Sequence, residues 1–196
     1  MMWARALGAV AIVGLLGSPA LAQSQTGQAE LAQQDLEFAK EAAAGGLKEV
    51  ALGELAQEQA KSEEVERFGQ RMVQDHGQAN QKLMAIVEQK DIQLPQELPE
   101  DAQQKYQELQ QLSDAEFDEA YMDEMVKDHE KDVALFEQQA QSGEDPDLRA
   151  FAEETLPTLR EHLELAREVQ SQITAARGDG PEQKQAAGLG VARRTG

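Results

Sequence analysis

The 22 residues from Asp91 to Leu112, DIQLPQELPEDAQQKYQELQQL, decide how this chain folds. They separate two long helical patterns and carry Pro95 and Pro99. Proline lacks a backbone donor and disfavours helical geometry in the residue before it, so neither flanking helix continues through this stretch. A short helix is predicted inside it, near Glu100–Gln111. Fully extended, the connection reaches roughly 70 Å. The helix that precedes it is roughly 40 Å long at 1.5 Å per residue. The connection can therefore recross a whole bundle, which leaves the helices on either side of it parallel. A plain up-down-up-down bundle is the alternative.

Working outward, two helical patterns precede the connection, Asp35–Lys61 and Ser62–Lys90. Two follow it, Asp114–Gln141 and Pro146–Thr174. Ser62 is placed to cap the second. Ser113-Asp114-Ala115-Glu116 reads as a capping box for the third. Asp145 caps the fourth, with Pro146 in its first turn, where a missing N–H costs nothing. The turns within each pair are short, so each pair is expected to form an antiparallel hairpin. The fold class is all-α, a four-helix bundle over residues 35–174, and the crossover version is the ferritin-like one.

The flanks read differently. A basic start, an apolar run from Ala6 to Leu16 and Ala20-Leu21-Ala22 make a cleavable signal peptide over residues 1–22. The run is too short for a membrane anchor. Residues 23–34 are polar and expected to be loose. Gly178-Asp179-Gly180-Pro181 breaks the last pattern, and residues 175–196 are expected to form a disordered tail. The product is exported, to the periplasm in preference to full secretion.

The chain has no cysteine and a net charge of −19. The first fact excludes disulfides, a thiolate metal site and a cysteine-linked lipid. The second argues against a nucleic-acid partner and against anionic membrane. Nothing names a protein partner.

All three histidines, His76, His129 and His162, fall on buried helical stripes near mid-helix. An α-helix turns about 100° per residue. His76 shares a face with Val65, Gly69, Met72, Leu83 and Val87; Asn80 is its main polar intruder. His129 shares one with Met122, Met125, Val133 and Phe136, and His162 with Leu148, Phe151, Leu159 and Val169. On the first helix Glu49 lies amid Phe38, Ala42, Leu52 and Ala56, and the stripe's Gly45, Gly46 and Gly53 invite close approach of a neighbouring backbone. A buried carboxylate costs several kcal/mol unless paired or bound to metal. Two arrangements compensate Glu49. One is a metal ion held by Glu49, His76, His129 and His162. The other is a metal-free hydrogen-bonded cluster.

Mixed nitrogen and oxygen donors suit one divalent transition ion, zinc, iron, copper or manganese. A di-iron design wants a Glu three residues before each histidine. Val73, Val126 and Leu159 stand there instead. Asp75, Asp128 and Asp132 are positioned either to orient imidazoles or to face solvent. Pro157 bends the last helix and either aims His162 or only curves the helix around the core. Met72, Met122 and Met125 read as packing. No motif for an organic cofactor occurs, and no nucleophile–base arrangement assigns an enzyme class.

Met72-Val73-Gln74-Asp75-His76 is echoed by Met125-Val126-Lys127-Asp128-His129. With Gly45-Gly46-Leu47-Lys48-Glu49-Val50, Phe117-Asp118 plus Tyr121, and Leu156-Pro157-Thr158-Leu159 before His162, these segments resemble the bacterial exported family known as domain of unknown function 4142. The resemblance covers about Asp35–Val169. It implies a ferritin-like bundle and an exported location, and no activity. Two functional readings stand: a metal-binding bundle serving stress, redox or metal handling, and a metal-free structural or partner-binding bundle of the cell envelope.

Overall fold

A computed structural model describes residues 31–90 and 92–178. The expected signal peptide (residues 1–22), most of the N-terminal segment and most of the expected tail lie outside these residues. Five helices follow in order: α1 (Gln33–Gln59), α2 (Glu63–Glu88), α3 (Glu100–Gln110), α4 (Asp114–Ser142) and α5 (Pro146–Ala176). Helix α1 starts two residues earlier than Asp35, and α5 runs two residues past Thr174. No helix of the described residues is long and apolar enough to cross a membrane.

Ion pairs and ring contacts give the directions. Arg71–Glu161 and Lys90–Asp145 make α2 and α5 antiparallel. Arg160–Glu137 and Arg167–Glu130 do the same for α4 and α5. Phe68 meets Tyr121 and His76 meets His129, so α2 and α4 run parallel across the bundle diagonal. The Asp91–Leu112 connection therefore recrosses the bundle, and α3 within it packs on α1 and α4. Of the two topologies open from sequence, this is the one with a long crossover between the second and third long helices.

The hairpin turns are short, and each is held from a distance by a buried aspartate of the other hairpin. Asp118 of α4, 3 % exposed, accepts from Lys61 N at 3.0 Å and Ser62 N at 2.9 Å. Asp35 of α1 is fully buried and accepts from Asp145 N at 2.8 Å, Glu144 N at 3.2 Å and the Gln139 amide at 2.6 Å. The spacing from Asp35 to Asp118 equals that from the N-cap Ser62 to the N-cap Asp145, 83 residues in each case. The two hairpins thus brace one another in a two-fold manner. Both are bonds from amides to a charged acceptor, the stronger class of hydrogen bond.

Ser62 caps α2 through Glu64 N, and Asp145 caps α5 through Asp147 N and Leu148 N, as expected. The capping box at Ser113 does not form. Asp114 takes φ 53°, a left-handed conformation, and the Ser113 side chain makes no cap bond. That strained entry is compatible with the arrival of the connection from α3, which the local motif could not register. Among the glycines, Gly53 and Gly69 do bring backbones together: a Cβ on Gly53 would lie 2.7 Å from the Gly69 carbonyl oxygen. Gly46 instead makes room for a side chain, that of Asn80, and Gly45 has only ordinary contact with Asp132.

Two apolar clusters fill the bundle. One gathers Phe38, Leu83, Phe136, Phe151 and Leu159 near the N-terminus of α1. The other gathers Leu52, Phe68, Phe117, Tyr121 and Val169 at the opposite end. Along every long helix, one polar residue separates the two clusters: Glu49, His76, His129 and His162.

Candidate metal centre

That interruption is the site. His76, His129 and His162 are 6 %, 0 % and 1 % exposed, and each offers a ring nitrogen within 4.8 Å of the other two. Their ring centroids stand 5.3–5.5 Å apart in all three pairs. The parallel course of α2 and α4 explains the repeated Met-Val-x-Asp-His segment: the same register on two parallel helices delivers an imidazole to the same level.

The outer nitrogens decide which way each ring presents its lone pair. Nδ1 of His129 lies 2.8 Å from the Met125 carbonyl oxygen. A carbonyl only accepts, so Nδ1 carries the proton and Nε2 is bare. Nε2 of His162 lies 2.8 Å from Oδ2 of Asp75 and donates to it. Its Nδ1 is buried without a partner. Arg71 holds the same Asp75 oxygen at 3.2 Å. Nε2 of His76 approaches the bare Nε2 of His129 at 3.4 Å. Two imidazoles are thus oriented with lone pairs inward by a carboxylate and a carbonyl, the arrangement that supports metal-ligating histidines. Asp75 orients His162, not its sequence neighbour His76.

Burial pulls the pKa of His76 well below its ordinary value, helped by the other two imidazoles. Burial and His162 bring His129 down to about 4. Burial also lowers His162, against the opposing pull of Asp75. All three are neutral at pH 7, the form that binds metal.

Glu49 is 1 % exposed, and its Oε2 has no hydrogen-bond partner. Its carboxylate stands outside the set of mutually close ligand atoms. Burial, reinforced by Asp128 and Asp132, pushes its pKa well above the ordinary carboxylate value, a cost that a nearby cation would relieve. Burial and Asp128 raise half-buried Asp132 to about 7. Lys48 reaches across from α1 to Glu124 and Asp128, both at 2.6 Å. Burial favours neutral lysine, but hydrogen bonds to Asp128 and Glu124 outweigh it and raise the pKa. Asp128 therefore serves this ion pair and is not free to orient a histidine.

Sequence reasoning found the three histidines but missed Lys48, Asp35 and Asp118. Lys48 adjoins Glu49 on the edge of a small-residue stripe, and helical periodicity gives no sign that it snorkels inward. Asp35 looks like an ordinary first-turn acid, and Asp118 like an unexplained polar residue on the buried stripe of α4, until the turns they hold are seen.

A family model for a domain of unknown function, DUF4142, matches residues 20–169. The chain belongs to the DUF4142 family. No curated protein matches this DUF4142 chain. Two solved structures share its fold. A DUF305 fragment from Deinococcus radiodurans is 13 % identical with a TM-score of 0.64, over 72 % of this chain and 98 % of that one. A DUF305 protein from Streptomyces coelicolor, described as a candidate secreted protein, is 14 % identical with a TM-score of 0.61, over 74 % of this chain and 92 % of that one. At these identities the likeness concerns the fold alone.

Proposed function

We propose that this DUF4142 protein is an exported metal-binding bundle that holds one divalent transition ion through His76, His129 and His162. Zinc, iron, copper and manganese all fit a site of this type. The carrying observation is the inward convergence of three neutral imidazoles, two of them locked from outside by Met125 and Asp75. The bare Nε2 of His129 faces Nε2 of His76 at 3.4 Å, a contact that a proton on His76 Nε2 or a shared cation makes favourable. Glu49 is the fourth ligand in this reading. Its unpartnered Oε2 and its place between the two apolar clusters support that role. The biological role follows as metal handling or redox protection outside the cytoplasm, consistent with the leader-like residues 1–22.

The alternative is a metal-free bundle that docks a partner, and it calls for an apolar or charged outer patch. Among the described residues, Met84 is the one large apolar side chain left mainly exposed, at 50 %. That gives an apolar docking face little support, whereas the acidic outer faces are compatible with a charged one without being specific to it. Elemental analysis of protein purified from its native compartment separates the two. One metal ion per chain, lost in His129→Ala, is expected; clean folded protein with no metal overturns the proposal.

A further inference from the structure

One feature of the bundle interior serves neither packing nor the three inward nitrogens. Next to His76 lies a small, partly open cavity of about 20 Å³, walled by Gly46, His76, Asn80, Asp132, Thr155 and Leu159 among others. All four long helices contribute to it. A single water needs about 10–15 Å³ and two to four polar partners. This space is therefore the right size for one water and too small for an organic ligand.

Its polar groups are specific. Nε2 of His76 is turned toward His129, which leaves Nδ1 as the outer nitrogen. Among the described residues nothing bonds that Nδ1, whereas the outer nitrogens of His129 and His162 are both engaged. Asn80 interrupts an apolar stripe, and Gly46 is what admits it: a Cβ there would stand 2.0 Å from Asn80 Oδ1. Asp132 comes in from α4. The Thr155 hydroxyl is already committed to the Phe151 carbonyl at 2.7 Å, so the free polar groups are His76, Asn80 and Asp132.

We propose that this cavity is a built water site, in which one water joins Nδ1 of His76 to the Asp132 carboxylate and the Asn80 amide and so fixes the third imidazole for metal binding. The inference rests on the metal reading above. It makes Asp132 and Asn80 positioning residues: they act through the water and His76, and do not touch the ion.

The test is cobalt(II) titration against a competing chelator, read with the cobalt d–d spectrum, on the wild type and on Asp132→Leu, Asp132→Asn, Asn80→Leu and Gly46→Ala. Loss of such outer partners lowers metal affinity about 10–100-fold. Asp132→Leu and Asn80→Leu are expected to fall in that range with an altered spectrum, and Gly46→Ala to follow by displacing Asn80. Asp132→Asn, which still bonds water but carries no charge, is expected to keep most of the affinity. Thermal melts of the metal-free variants show that each folds. Wild-type affinity in both Leu variants overturns the water site while leaving the metal reading intact. Equal loss in Asp132→Asn and Asp132→Leu overturns it in favour of plain charge attraction. Absence of cobalt binding by the wild type overturns the metal reading and this inference with it.

Discussion

Asp75 shows how much of the centre depends on a residue that need not touch an ion. Its carboxylate receives both His162 Nε2 and the Arg71 guanidinium, so one side chain sets ring orientation and tautomer. Asp75→Ala is expected to weaken metal binding by about 10–100-fold without removing a ligand, measured by chelator competition. Glu49 poses the opposite case, a ligand candidate that destabilises the metal-free protein. An unsatisfied buried polar group costs about 1–3 kcal/mol, so Glu49→Leu is expected to raise metal-free stability by about that amount in urea unfolding while weakening metal binding. At this scale the sequence was informative about identity and silent about pairing. Helical periodicity put Glu49, His76, His129 and His162 inside. It could not show that Asp75 serves His162, because that contact joins α2 to α5 and depends on their relative height.

Helix boundaries and the crossover were legible at the scale of the element, since prolines, caps and apolar spacing are local signals. The Ser113 capping box was not, because Asp114 adopts φ 53° where the connection from α3 joins α4. Nor were the braces formed by Asp35 and Asp118, whose partners lie 104–110 and 56–57 residues away. Each brace collects backbone amides onto one carboxylate. Asp118→Ala strips two amides of a charged acceptor, and hydrogen bonds of that kind contribute about 1.5–3 kcal/mol. A loss of about 2–3 kcal/mol in urea unfolding is expected, with Asp118→Asn recovering part of it. Gly69 tests the α1–α2 contact. Alanine is the better helix former by about 1 kcal/mol, yet its Cβ would meet Ala56 Cβ at 2.7 Å and the Gly53 carbonyl oxygen at 2.8 Å. Overpacking of this kind typically costs about 1–3 kcal/mol, so Gly69→Ala is expected to lower the melting temperature despite its propensity.

Over the whole molecule, the polar tier makes metal-free stability depend on pH from two sides. Glu49 has a pKa raised above its ordinary 4.5, so its contribution is full below that pH and is lost as pH rises toward the folded value. The histidines run the other way. Their pKa values fall below the ordinary 6.5, to about 4 for His129, so their contribution is full above pH 6.5 and is lost as pH falls toward 4. Metal-free protein is thus expected to lose stability on both sides, and Glu49→Leu to remove most of the alkaline loss; identical alkaline limbs in wild type and variant would contradict the assignment. A bound cation compensates the carboxylate and holds the imidazoles neutral, so metal should raise the melting temperature most where the metal-free form is weakest. The two apolar clusters flank the tier along the bundle axis, and neither disulfide nor thiolate is available to replace it. The most direct measurement is a crystal structure of zinc-soaked protein, with anomalous scattering recorded at the zinc edge. The account predicts a single strong peak about 2.0–2.1 Å from one nitrogen each of His76, His129 and His162. Ordered imidazoles with no peak between them, or zinc found only on surface carboxylates, would contradict it.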